Sequence, residues 1–330
     1  MICVNKLSKK YTIQSLKKGH LLSYEKKVIQ ALQNVSFSIS DGESVGYVGL
    51  NGSGKSTTIK LLAGILCPDY GEVQINGRNP FVDRRICYEI GVVFGQKQQL
   101  WMDLPVGDSF EMLRSIYNIS RANYCAQTKL IDSFLDFSAL LSLPARKLSL
   151  GQRMKCEFAA SLLHSPQILL LDEPTIGVDI HVRKQILALL HYLQSESGTT
   201  IFLTTHNLSD IEELCNRIIL LNDGKVCYDG SKERISELSD QLGKIVFRLD
   251  KQISLSECRR INTDNYSFTV NESGELCATY PVNQPGITVK IINHVQSNFR
   301  IKSLKLEECK LENIIDEFCK TDSKPSSIQI

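Results

Sequence analysis

Nine residues constrain this chain more than any others: Gly49-Leu50-Asn51-Gly52-Ser53-Gly54-Lys55-Ser56-Thr57. Their spacing, G-x-x-x-x-G-K-[ST], is that of a phosphate-binding loop. The flanks agree, with apolar Val45-Gly46-Tyr47-Val48 before the loop as a strand and residues 57–66 after it as a helix. Glycines let the backbone curl until successive N–H groups point inward at phosphate oxygens. A helix beginning near Gly54 adds its positive end at the same spot. In such a loop Lys55 reaches the β- and γ-phosphates and the Ser56 hydroxyl ligates Mg²⁺. A glycine-rich hairpin is the alternative, and the strand and helix on either side count against it.

The bulk of the chain adds bounds. At 330 residues it is long enough for one large domain and a smaller one. A net charge of +2 makes no case for a nucleic-acid partner. The 11 cysteines are scattered and never form C-x-x-C, which points to reduced thiols rather than a zinc site or disulfide framework. Met1-Ile2-Cys3-Val4-Asn5-Lys6 does not resemble a secretory leader, and no apolar run nears the roughly 20 residues of a membrane span. A cytoplasmic chain is expected, with any pore supplied by another chain.

Along the chain, residues 2–4 and 32–39 read as strands. The basic, polar stretch 12–29 between them reads as a solvated loop, or as a membrane-proximal surface. Residues 72–75 and 90–94 are further strands. Residues about 103–164 form a helical insertion, with Phe110, Leu113, Ile116 and Tyr117 at helical spacing. Ile168-Leu169-Leu170-Leu171 is a buried-strand run that delivers Asp172-Glu173. An acidic residue at such a strand end is the expected Mg²⁺ partner of a phosphate loop. Adjacent strand side chains point to opposite faces, so Glu173 can reach the same site only if the strand end turns. There it could polarise a water. A helix over 181–195, a strand over 200–205 ending at His206, and strands at 217–221 and 225–229 complete an α/β alternation around a largely parallel sheet.

This string of motifs, over roughly residues 1–240, resembles the nucleotide-binding subunit of ATP-binding cassette (ABC) transporters. The discriminating stretch is Leu148-Ser149-Leu150-Gly151-Gln152, similar to the family signature LSGGQ, with Leu150 where the family has its first glycine. The resemblance implies the ABC-ATPase form of the P-loop NTPase fold: a parallel-sheet core, an antiparallel β subdomain and a helical subdomain. It implies ATP and Mg²⁺, with Gly49, Asn51, Gly52, Ser53, Gly54, Lys55, Ser56 and Thr57 around the phosphates. Tyr11, or Tyr24 beyond the insert, would stack on adenine. Asp172 matches the Mg²⁺ carboxylate, Glu173 the general base, and Gln96 the glutamine that senses Mg²⁺ and the attacking water. His206 matches the switch histidine, and Asp179 the loop that crosses a dimer interface. Ser149, Gly151 and Gln152 would face ATP held by a second copy. The stretches 94–105 and 204–212 resemble one group in particular, bacterial exporters with separate permease chains, of the multidrug or cationic-compound type. The implied place is the inner face of the cell membrane. A soluble cassette acting on ribosomes or DNA is the competing expectation; one phosphate loop, no heptads and no basic stripe argue against it.

Beyond residue 242 the cassette is complete, so the expected domains are 1–242 and 243–320, with a disordered tail at 321–330. Strands at 245–249, 266–270, 276–280 and 299–306 alternate with helices at 255–261 and 286–298, and a last helix covers 311–318. That order, βαββαβ plus a helix, is the pattern of a ferredoxin-like sandwich. With no metal or catalytic cluster in it, a structural role is expected.

Overall fold

In the computed structural model the described residues are 1–16, 24–95, 98–205 and 208–234, then 237, 242–251, 253, 257–258, 261, 263, 266–271 and 273–308. Gln96, His206, the helix expected at 311–318 and the tail lie outside them, as does most of the helix expected at 255–261. The chain divides into two units, Met1–Gly230 and Ser231–Ile330, N-terminal to the break expected at 242/243.

Three strands open the first unit in the order β2-β1-β4: β1 (Ile2–Leu16), β2 (Tyr24–Ile39) and β4 (Tyr70–Ile75). All their pairings are antiparallel. The expected loop at 12–29 is therefore corrected. Outside the undescribed 17–23 it continues as ladder, Tyr11 pairing with Ile29 and Thr12 with Val28. Val28 and Ile29 are exposed there, so no buried face imposes the hydrophobic alternation by which a strand is read from sequence.

Six strands build the second sheet, in the order β5-β6-β7-β3-β8-β9. They are β3 (Ser44–Val48), β5 (Ile90–Phe94), β6 (Ile168–Asp172), β7 (Thr200–Thr204), β8 (Arg217–Asn222) and β9 (Lys225–Ser231). The registers from β5 through β6, β7 and β3 to β8 are parallel. β3 and β7 are buried throughout, as continuous apolar strands covered on both faces must be. Asp223 and Gly224, both left-handed, make the tight turn from β8 to β9. Phe37 stacks on Phe202 at 5.8 Å and Tyr47 lies 5.0 Å from Phe202, fusing the antiparallel layer to the parallel one. Wedged in that core is α1 (Lys55–Leu62), through Ile59, Leu61 and Leu62.

The helical insertion comprises α2 (Val106–Ile116), α3 (Arg121–Leu135) and α4 (Leu150–Leu162). Phe110 of α2 is buried against Phe137 at 5.7 Å, whereas Ile116 is exposed. Next come α5 (Ile180–Ser197), whose buried face includes Ile186, Leu189, Leu190 and Leu193, and α6 (Leu208–Leu214). Among the described residues no helix is long and apolar enough to cross a membrane.

In the second unit β10 (Leu242–Leu249), β11 (Ser267–Val270), β12 (Leu276–Pro281) and β13 (Ile301–Glu308) pair in the order β11-β12-β10-β13, antiparallel throughout. That is the strand order of a split βαβ sandwich. Ile287, Ile291 and Val295 of α7 (Ile287–Asn298) bury against Ile245, Phe247, Leu276 and Ala278.

Candidate functional site

The phosphate loop sits where parallel α/β sheets place their sites, at the carboxyl end of β3. Its glycines are required for different reasons. At Gly49 a Cβ would overlap the Leu221 carbonyl, and Gly54, at φ 112°, has no room for one beside the Ala31 carbonyl. Gly54 is also the N-cap of α1 and supplies no side-chain hydrogen bond, so the first-turn N–H groups are left to a ligand. Lys55 folds back across the loop, donating from Nζ to the Gly49 carbonyl at 2.7 Å and to Leu50 at 3.2 Å. Burial lowers its pKa; Glu173 and then Asp172 oppose the shift. The buried Ser53 hydroxyl has no partner among the described residues. A concave, donor-rich loop of this kind suits a polyphosphate.

Asp172, the last residue of β6, faces that loop. Ser56 donates from Oγ to Asp172 Oδ1 at 3.1 Å. Two oxygen donors of this type fit a hard divalent cation. Glu173 has φ 51°, the left-handed region, at a cost of about 1–2 kcal/mol for a non-glycine residue. Its N–H donates to the Thr204 carbonyl at 2.9 Å, and Gly95 N–H donates to the Asp172 carbonyl at 2.8 Å. Gly95 packs so closely that a Cβ would overlap the Glu173 carbonyl. The turn required for Glu173 to share a site with Asp172 is thus present, and both line one cavity with Asn51, Ser56, Lys60 and Gly95.

Thr204 was not singled out from the sequence. The β6–β7 register sets it beside Asp172, and its fully buried hydroxyl donates to Asp172 Oδ1 at 2.8 Å. It also lies 3.3 Å from the Glu173 N–H. A polar residue closing a strand with an apolar middle was the available signal; strand register, which the sequence does not reveal, gives it meaning.

Tyr11 lines an adjoining cavity with Ile29, Gly54 and Thr57, its hydroxyl 3.4 Å from Thr57 Oγ1. Tyr24 pairs with Leu16, five residues farther along the ladder and so roughly 17 Å away.

The signature stretch lies on another surface. Ser149 caps α4: its Oγ accepts from Gln152 N–H at 3.2 Å, and Gln152 Oε1 accepts from Ser149 N–H at 3.0 Å. Asp179 caps α5 through the N–H groups of His181 (2.9 Å) and Val182 (3.0 Å). Chiefly the Val182 N–H holds its carboxyl below the usual range, against desolvation and with help from His181. A Cβ on Gly151 would stand 3.3 Å from Asp179 Oδ2, so Gly151 and Asp179 form one surface. None of Ser149, Gly151, Gln152 or Asp179 lines either cavity at the phosphate loop. One copy presents the two sets apart.

Comparison with known proteins bears on the family of the chain. The family model described as ABC transporter matches residues 32–176. ATP-binding cassette sub-family A member 6 of Homo sapiens is 28% identical over 336 residues, 97% of this chain. The chain spans only 20% of that protein's length. The ABC transporter ATP-binding protein NatA of Bacillus subtilis is 30% identical over 224 residues, 67% of this chain and 91% of the relative. Among solved structures, a dimeric post-hydrolysis state of the ATP-binding cassette MJ0796 bound to ADP and Pi superposes with a TM-score of 0.61 at 27% identity, covering 70% of this chain and 98% of that one. On this likeness the chain belongs to the ABC transporter family and is an ATP-hydrolysing cassette.

Proposed function

We infer that this chain works as a head-to-tail pair, each copy completing the other's ATP site, and powers export through a separate membrane permease at the inner face of the membrane. The observation that carries the reading is the division of the site. Ser56, Asp172 and Glu173 line one cavity and Lys55 the cavity adjoining it, while Gly151 and Asp179 form a different surface of the same chain, at the helix start that Ser149 caps.

The chemistry follows from what each residue can do. The loop N–H groups and Lys55 bind the phosphates; Tyr11 offers an aromatic face to the base. Ser56 and Asp172 would hold Mg²⁺, with Gln96 the third residue the family resemblance supplies, and the ion would neutralise charge on the phosphates. Thr204 fixes the Asp172 carboxylate in place. Glu173 is set to take the proton of an attacking water, and His206 is assigned to the γ-phosphate by resemblance. A partner's Ser149 and Gly151 would close the site, excluding water and strengthening each of these interactions. Coupling that closure to a permease is a two-state change of the kind that does mechanical work.

The test is capture of the full chain from detergent-solubilised membranes. A stoichiometric multi-span partner supports the exporter reading. Co-purification with ribosomes or DNA in its place contradicts it.

A further inference from the structure

One buried carboxylate has no part in the chemistry above. Glu157 lies two turns into α4 and is 5% exposed, in a helix segment where Cys156, Phe158, Ala159 and Ala160 are buried as well. An apolar side chain would pack there without the desolvation penalty of an acid. Two backbone donors offset it. Glu157 Oε2 accepts from Gln99 N–H at 2.9 Å and Oε1 from Leu100 N–H at 3.4 Å. Burial still pushes the carboxyl above its ordinary range.

Gln99 is held at both ends. Its backbone meets Glu157, and its side-chain amide donates to the Val92 carbonyl in β5. β5 runs beside β6 in register, Phe94 against Asp172, and Gly95 bonds the Asp172 carbonyl. The connection is continuous among described residues: Asp172, Gly95 and β5, Gln99, Glu157, α4, and at the head of α4 the capping box of Ser149 and Gln152.

We propose that Glu157 is a positioning residue that couples the Asp172–Glu173 strand end to the signature end of α4 through Gln99. Displacement of β5 when ATP occupies the cavity is then passed to Ser149–Gln152, which face the partner copy; this rests on the paired-site reading. A coupling claim needs a cycle of variants rather than a contact alone.

The experiment compares the full chain with Glu157→Gln, Gln99→Leu and the double variant. Four quantities are read: ATP affinity, kcat, thermal midpoint and the emission of Trp101, the only tryptophan, which follows Leu100 and is 38% exposed. Neutralising the carboxylate in Glu157→Gln, or deleting the side-chain bond to the Val92 carbonyl in Gln99→Leu, is expected to lower kcat about tenfold in each single variant. ATP affinity should stay within about twofold, because the phosphate loop is untouched. Trp101 emission should shift as its loop is released from α4. The double variant should be no slower than the slower single one, since both cut the same link. Effects that multiply in the double variant overturn the proposal. So does a Trp101 shift with unchanged kcat, or a fall of affinity, kcat and thermal midpoint together. If Glu157→Gln does not fold, Gln99→Leu interrupts the same connection at its other bond, the half-buried amide on the Val92 carbonyl. A parent chain whose hydrolysis shows no dependence on its own concentration would sink the paired-site reading instead, whatever the variants do.

Discussion

Three helices in the first unit begin beside candidate ligand surfaces, and they begin differently. α1 starts at Gly54, in left-handed geometry with no side-chain cap. α4 starts at a closed capping box, and α5 at Asp179, which takes two N–H groups. Every helix N-terminus leaves donors to be satisfied and carries a partial positive charge. Where the chain satisfies them itself, the helix start needs no ligand and the capping hydroxyl or carboxylate is engaged. Where it does not, the donors are available to an anion. The phosphate loop is built for a ligand on every copy; the signature surface is a capped helix start, which on the paired-site reading proposed above becomes part of a site only against another copy.

Substitutions on the two surfaces should therefore separate binding, hydrolysis and stability. The largest effect is expected at Glu173. Glu173→Gln should leave ATP binding intact and lower turnover roughly 10²–10⁴-fold, the usual contribution of a general base. Normal hydrolysis by that variant, measured as phosphate release, would remove Glu173 from the role. Lys55→Ala should weaken ATP binding itself by roughly tenfold to a hundredfold, as expected for a charge-assisted hydrogen bond; isothermal titration reads it. Thr204→Val keeps the shape and deletes the hydroxyl that holds Asp172. It should weaken Mg²⁺-dependent nucleotide binding about tenfold, while metal-free ATP binding stays the same and Thr204→Ser restores the loss.

On the signature surface the effects are smaller and differ in kind. Ser149→Ala should cost about 1 kcal/mol of stability as a lost N-cap, or about 2–4 °C in thermal midpoint, with ATP affinity of the isolated copy unchanged. Smallest is the acid response at Asp179. Its folded carboxyl sits below its ordinary value near 3.8, so its contribution is present above that pH and disappears as pH falls through the lower folded value. The stability difference from Asp179→Ala should be seen at neutral pH and vanish in strong acid.

Much of this division was legible in the chain before any coordinates. The phosphate loop and the Asp172-Glu173 strand end are local strings whose spacing carries their chemistry, and Leu148–Gln152 takes its meaning from its resemblance to the family signature. The antiparallel sheet of the second unit followed from the order of its elements. What the sequence withheld depends on contacts across it. Thr204 matters only because of the β6–β7 register, and Glu157 only because Gln99 folds back onto α4. The outer part of the β1–β2 ladder was hidden for another reason: Thr12, Lys27, Val28 and Ile29 are exposed there, so these positions leave no hydrophobic pattern. The left-handed turn at Glu173 was demanded by geometry but not visible in the residue type, since glutamate seldom adopts it.

On the paired-site reading, one copy holds half a site. The direct measurement is ATPase rate per chain as a function of chain concentration with saturating Mg²⁺ and ATP. Specific activity should climb with concentration and level off as pairs form. Constant specific activity down to concentrations where the chain is monomeric by mass would contradict it.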